Sequence, residues 1–442
     1  MNSRLFVGFG RADITPLEPV PLRGYGNTSR RISRIVIDRL KATCLAFSDD
    51  AGSTVLAFAL DLCSAADAFL GRMDVAVGKA VGVDPERVLL SCSHNHSSPD
   101  VGNREQESIP RYLDYLEGQL IAAAKEAMAD RSPARLFAGS TQTAGLNHVR
   151  RYVMDDGSFG GDNYGDFKNH RPVRHESEAD RTLQMLRIER AGKKDILLAN
   201  FQMHPHRMGG ASDPRITADV VGAFRSAMEH QHGCLFAYFT GGSGNINGHS
   251  RIPEENITPD YASHGMKLAE YAGTVEYREL PAGPVEFASR RLELAVNHTT
   301  DPLLPAAEEL VRRWKAGESR DSLLPDLRAQ GFNSPYHATA VVSRSKLGSA
   351  LEMPIWAFSI GGAAFAAAPY EMFDTNGKEI KDASPYGMTF ILTCTNAAFG
   401  YFPSALGFRN GGYSADTCRF LPGVGESTAQ EFIELLNTLP RE

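Results

Sequence analysis

A chain of 442 residues, 42% of them hydrophobic, is long enough to bury a large core. The net charge of −7 and the lack of any long Lys/Arg run argue against nucleic acid or an anionic membrane surface as a partner. No apolar stretch reaches the roughly 20 residues that cross a bilayer, so no integral membrane contact is expected. Met1–Gly10 contains no signal-peptide core, and none of the six cysteines forms a CxxC pair. The expectation is a cytoplasmic protein with buried, reduced thiols.

The first half alternates strand-like and helix-like segments. Thr54–Leu60 is a short apolar run ending in Asp61, and a helical pattern follows over Ala65–Val81. Val88–Cys92 is a second apolar run. Tyr112–Met128 carries Leu113, Leu116 and Leu120 at helical spacing. Ile196–Phe201 reads as a strand, Asp219–His230 as a helix and Cys234–Phe239 as a further strand. This rhythm predicts an α/β architecture around a buried sheet. In the second half, residues 304–330 read as a peripheral helical insertion. Gly361-Gly362 marks a hairpin within Pro354–Ala368, and Thr389–Cys394 is another strand. Ser427 and Gln430 form a capping-box pattern, with Phe432, Leu435, Leu436 and Leu439 on one face of a docked terminal helix. Asp155–Glu176 is a long polar loop.

Three strand-like runs end in polar clusters: Ser91–Asp100, His204–Arg207 and Thr240–His249. Ligands bind at the carboxyl ends of strands in α/β folds. In an extended chain His94 and His96 share a face, so both imidazoles can address one metal, or one can bind while the other assists. His204 and His206 repeat the pattern. A carboxylate such as Glu371 would complete such a site. Tyr401 and Tyr413 flank a glycine-containing segment, Gly400–Gly412.

These residues resemble, in order, the neutral non-lysosomal ceramidases. The resemblance rests on Val7–Pro16, Gly24-Tyr25-Gly26, the strand ending in Asp61 and the paired-histidine segment Ser93–Pro99. It continues through His204, Ile216–Asp219 with Gly222, Gly244–Asn247, Pro369-Tyr370-Glu371, Gly400-Tyr401 and Tyr413. It implies a single catalytic domain spanning 1–442, with a layered mixed β-sheet core flanked by helices. It also implies one Zn²⁺ held by His94, His204, Glu371 and Tyr401. His96, Tyr413 and one of Arg150 or Arg151 would then serve the substrate or the transition state, and His206, Asn245 and Asn247 would contact substrate. Asp219 and Asp61 are candidates to orient the liganding imidazoles.

Three departures from the family pattern stand out. The chain ends at Glu442 without room for the family's C-terminal β-domain. Asn245 and Asn247 replace the usual Asp and Ser of a GDVSP-like turn, and the polar Asp155–Glu176 loop offers no greasy groove. The expected activity is therefore amide hydrolysis of a polar N-acyl compound. Hydrolysis of a glycoside or ester, and non-catalytic binding of a sugar or lipid, are the alternatives. Nothing in the sequence gives the oligomeric state.

Overall fold

The computed structural model describes residues 4–26, 31–103 and 105–440; the first residues of Met1–Gly10 and the terminal Glu442 lie outside them. The larger of two stacked sheets has nine strands. From one edge the order is Leu235–Thr240, Ile196–Phe201, Thr182–Arg190, Ser132–Gln142, Leu5–Asp13, Lys41–Asp49, Thr54–Leu60 and Val88–Cys92, with Arg278–Leu280 added against Ser132–Gln142. Its middle pairs are antiparallel. Its two outermost pairs are parallel. The smaller sheet has four strands, Val285–Ala295, Ala350–Ile360, Ala363–Ala367 and Met388–Leu392, the last two paired in parallel.

Period-two alternation decides which face goes where. Leu5, Val7, Phe9, Leu45 and Phe47 point at Trp356, Phe358, Phe365 and Phe390 of the smaller sheet. Ala42, Cys44 and Ala46 point the other way, under the helix Ser108–Ala129 and its Ile109, Leu113, Leu116 and Leu120. That helix sits close because Gly8 and Gly10 face it. A Cβ on Gly10 would lie 2.1 Å from the Ala123 carbonyl oxygen. Helices Asp219–His232 and Tyr261–Ala272 extend the same outer layer. On the far side, Phe432, Leu435 and Leu436 of helix Val424–Thr438 cover the outer face of the smaller sheet. The result is helix on sheet on sheet on helix, a layered mixed-sheet α/β fold.

Three predicted strands, Thr54–Leu60, Val88–Cys92 and Ile196–Phe201, coincide with the observed ones. The Gly361-Gly362 hairpin joins Ala350–Ile360 to Ala363–Ala367 as expected. Four local expectations need correction. The helix expected from Ala65 starts at Asp74, after an irregular turn over Phe69–Met73 in which Gly71 is left-handed. Ser427 lies inside the terminal helix, whose N-cap is Gly423, so the capping-box pattern is incidental. The Asp155–Glu176 segment is not structureless: Phe159–Gly161 and Pro172–His175 pair on either side of Arg151–Met154. The helical segment expected at 304–330 runs as Leu304–Lys315, Arg320–Ala329 and Pro335–Arg344 around a small core of its own.

All six cysteines are buried and unpaired. Among the described residues no helix is long and apolar enough to cross a membrane.

Candidate metal centre

The two sheets meet at the carboxyl ends of their strands. Thr393 N donates to Thr240 O at 3.1 Å, and Cys92 N donates to Cys394 O at 3.2 Å. His94 stands just past Val88–Cys92, and His204 just past Ile196–Phe201. Glu371 follows the Ala363–Ala367 strand and is bridged in parallel to Tyr401, with its N–H on Gly400 O at 2.8 Å. The fold therefore brings His94, His204 and Glu371 together from distant parts of the chain, with Tyr401 paired beside Glu371.

His94 Nε2 lies 3.3 Å, and His204 Nε2 3.2 Å, from the same Glu371 Oε2. The ligand atoms of these three buried or half-buried residues all lie within 4.8 Å of one another, so the cluster could hold a metal ion. The tautomer of His204 follows from its surroundings. Its Nδ1 faces the carbonyls of Ser243 at 2.7 Å and Ile246 at 3.1 Å, so Nδ1 carries the proton and Nε2 is bare. Burial, and then Arg150, push His204 down to about 4, which keeps it neutral near pH 7. A bare Nε2 thus confronts a carboxylate oxygen. Burial pushes the Glu371 carboxyl up, and the charge and hydrogen bonds that His94 and His204 can offer bring it well below its ordinary range. Two acceptors at this separation repel unless a cation lies between them.

The orienting partners differ from those expected. Asp61 is taken by Arg225 at 2.7 Å and by Lys41 N at 2.8 Å. Asp219 accepts from the backbone of Arg207, Met208 and Val220. The carbonyls of Ser243 and Ile246 hold His204 instead, and Cys394 Sγ lies 3.5 Å from His94 Nδ1.

His94 and His96 are not related by a simple pleat. His94 sits at φ +66°, a left-handed conformation that costs a non-glycine residue energy, and Cys394 opposite is at φ +53°. The kink sends His94 to Glu371 and leaves His96 beside it, with ring centroids 5.1 Å apart. His96 lies 4.8 Å from His206 and 5.2 Å from Tyr25, ring to ring, and its buried Nδ1 has no hydrogen-bond partner among the described residues. Burial, and then His206, push His96 well below its ordinary value. Gly24 makes this packing possible: it has φ +119°, and a Cβ there would lie 2.4 Å from His96 Cβ.

Two cavities of about 970 and 590 Å³ open onto the centre, and His96, Tyr401 and Tyr413 line both. His94 and Glu371 line the smaller. Tyr401 packs 5.6 Å from Tyr413, and the Arg150 guanidinium lies 5.4 Å from the Tyr401 ring. Burial and then Glu371 push Tyr413 up to about 12, so its phenol keeps its proton. His206 and Asn247 line the larger cavity. Three sequence candidates, His204, Asn245 and Arg151, are absent from the lining of both cavities, and His204 is fully buried behind them. Asn245 is buried and exchanges hydrogen bonds with Asp374, through Nδ2 at 2.7 Å and Oδ1 at 2.9 Å. Arg151 is buried against Glu176, with Nε to Oε2 at 2.7 Å.

His249, Tyr25, Asp162, Arg207, Arg251, Arg320 and Tyr336 join the lining although none of them was given a site role from sequence; Tyr25 stood in the Gly24-Tyr25-Gly26 motif and Arg207 in the His204–Arg207 cluster. His249 belongs to the flagged Thr240–His249 cluster, and Asp162 to the polar segment; Arg320 and Tyr336 come from the helical insertion and carried no signal. Three further metal-type clusters occur among the described residues. In one, Cys63 adjoins His94 and His96, but burial pushes its thiol up to about 12 and keeps it protonated. In another, His175 Nε2 and Glu255 Oε2 are 2.6 Å apart, the spacing of an ion pair. The third, Asp155, Asp156 and His170, is exposed or half-exposed.

A buried histidine outside the centre is expected to add to the acid sensitivity of the fold. Burial, and then Arg207, push His264 down to about 3. Its folded value lies below the unfolded 6.5, so its contribution is complete above pH 6.5 and is lost as pH falls toward 3. Urea midpoints are expected to fall between pH 6.5 and 4, with His264 accounting for on the order of 3 kcal/mol at pH 4. In a His264→Gln variant that slope should flatten; an unchanged slope would show that the loss has another source.

No family model matches the chain, and no curated protein matches it in sequence. Solved structures do. The neutral ceramidase of Pseudomonas aeruginosa superposes with a TM-score of 0.72 at 18% identity, over 100% of this chain and 76% of that one. A ceramidase complexed with C2 gives a TM-score of 0.69 at 18% identity over the same shares. The layered sheets are those of a ceramidase-like fold.

Proposed function

We propose that the chain is a zinc-dependent hydrolase that cleaves the amide bond of an N-acyl compound with water. The observation that carries this reading is the bare His204 Nε2 set 3.2 Å from the Glu371 carboxylate. That arrangement calls for a cation, and two imidazoles with one carboxylate suit zinc. The fold adds support, because the solved structures that share it are ceramidases, which are amidohydrolases.

His94, His204, Glu371 and Tyr401 would hold the ion. A bound zinc supplies Lewis acidity that polarises a carbonyl oxygen and acidifies water. His96 is the proton carrier: it is neutral near pH 7, lies beside the cluster and has an uncommitted Nδ1. Arg150 stays charged, since Tyr401 and Asp162 outweigh the opposing effect of burial. With the protonated Tyr413 it donates to the oxygen that gains charge in the transition state. His206 and Asn247 hold the polar part of the substrate in the larger cavity. Arg151 and Asn245 take structural roles.

Elemental analysis of protein grown with zinc should find about one zinc per chain, and His204→Ala should lose most of it. Equal zinc in both proteins would remove the assigned centre. A panel of chromogenic N-acyl amides, esters and glycosides then tests the bond. Turnover of glycosides alone, abolished by His204→Ala, would keep the metal and reject the amide.

A further inference from the structure

The larger cavity is strongly cationic although the whole chain is acidic. Arg150, Arg207, Arg251 and Arg320 line it, and among the described residues Asp162 is its only carboxylate. Asp162 is itself shared. It lies 3.3 Å from Arg150 Nη1, 3.8 Å from Arg251 Nη2 and 3.3 Å from Asn247 Nδ2. Arg207 and Arg320 form no ion pair among the described residues. Arg207 uses Nη1 and Nη2 on the carbonyls of Gly248 and Thr258. Among the described residues its buried Nε has no hydrogen-bond partner, nor do His206 Nδ1 and His96 Nδ1 on the same wall. The lining thus holds a surplus of positive charge and several orphaned polar atoms in a space of about 970 Å³.

Such a pocket is costly for a neutral or apolar ligand. It would leave the guanidinium groups desolvated and unpaired. An oxyanion meets both needs at once, because guanidinium donors match carboxylate, sulfate and phosphate groups. A concave wall of one sign also concentrates anions from solution.

We propose that the substrate carries an anionic group, a carboxylate, sulfate or phosphate, on the side of the scissile bond that occupies the larger cavity. Arg207, Arg251 and Arg320 bind that group, while the acyl side lies toward the smaller cavity lined by Tyr336 and Tyr370. The identity of the scissile bond rests on the hydrolase reading above; the anion preference does not.

The test uses matched N-hexanoyl amines that end in a carboxylate, a sulfate, a phosphate or a neutral amide. At low salt the preferred anionic member should exceed the neutral one by about 100-fold in kcat/KM. The advantage should shrink as ionic strength rises. In an Arg251→Gln/Arg320→Gln variant it should fall to below about 5-fold, mainly through KM for the anionic member. Arg320→Gln alone provides a milder variant, and thermal melts establish that each protein is folded. Any of the three anions carries the proposal, and their rank order identifies the group. Hydrolysis with no anion preference overturns it while the hydrolase reading stands. If no amide is cleaved, calorimetric titration of the same compounds decides: tighter binding of an anionic member upholds the anion site and rejects the hydrolase reading, and equal binding overturns the proposal.

Discussion

Arg151→Ala is expected to lower stability by about 3–5 kcal/mol, and Arg150→Ala by less than half of that. The two residues are neighbours, yet their surroundings differ in kind. Arg151 is a fork inside a closed pocket. Its Nε and Nη2 reach both oxygens of Glu176 at 2.7 and 3.0 Å, and Nη2 also donates to Gly407 O at 2.9 Å and Gly411 O at 2.8 Å. The two side chains are 2% and 4% exposed. Removing the guanidinium leaves a buried carboxylate with Asn410 Nδ2 as its remaining side-chain partner, and it orphans two carbonyls. Lysine should not rescue the loss, because one ammonium cannot reproduce the bidentate contact. Arg150 faces the cavity, where water can replace its contacts with Gly244 O and Asp162. Its removal should instead cost activity, by roughly 100-fold or more for a lost oxyanion donor. Urea unfolding followed by circular dichroism, alongside turnover of the best N-acyl substrate, checks both halves. Equal stability losses in the two variants would reject this division of labour.

The same pair shows where the sequence stops. Arg150 is a bend between the short strands His148–Val149 and Arg151–Met154, and of the two arginines only one lines the cavity. Which one is decided by Glu176 and by the Gly407–Gly411 carbonyls, distant contacts that no local pattern encodes. The strands were legible because Thr54–Leu60, Val88–Cys92 and Ile196–Phe201 are apolar runs bounded by polar residues, and burial on both faces demands that composition. The polar clusters after them were legible for the same reason. Left-handed backbone at His94 was not, because nothing in the residue type announces it. Nor was the contribution of the helical insertion: Arg320 and Tyr336 reach the cavity only through the packing of three helices on one another. Asn245 misled because an asparagine after a strand suits a ligand site as well as it suits Asp374.

Glu371→Gln should separate the cost of the centre from its use, because its effects on the metal-free and metal-loaded protein have opposite signs. In the metal-free protein the Glu371 carboxylate faces the bare His204 Nε2 as a second acceptor. Glutamine keeps the shape but presents an amide N–H₂ that can donate to that nitrogen. The variant should therefore be more stable than the parent after chelation, by about 1 kcal/mol for one hydrogen bond gained in place of a repulsion. With zinc supplied the order should reverse. The parent should gain about 3 kcal/mol when free zinc exceeds its dissociation constant 100-fold, whereas the variant, having lost the anionic ligand, should gain little. Activity of the variant should fall by about 1000-fold or more, since a poorly held ion supplies neither charge nor orientation. Thermal melts of parent and variant, with chelator and with added zinc, read all four states. A variant less stable than the parent under chelation would mean that protonated imidazoles already satisfy Glu371 without metal, and the argument for a resident cation would fail. Stabilisation without metal and destabilisation with it is the signature of a carboxylate kept for chemistry at the expense of the fold.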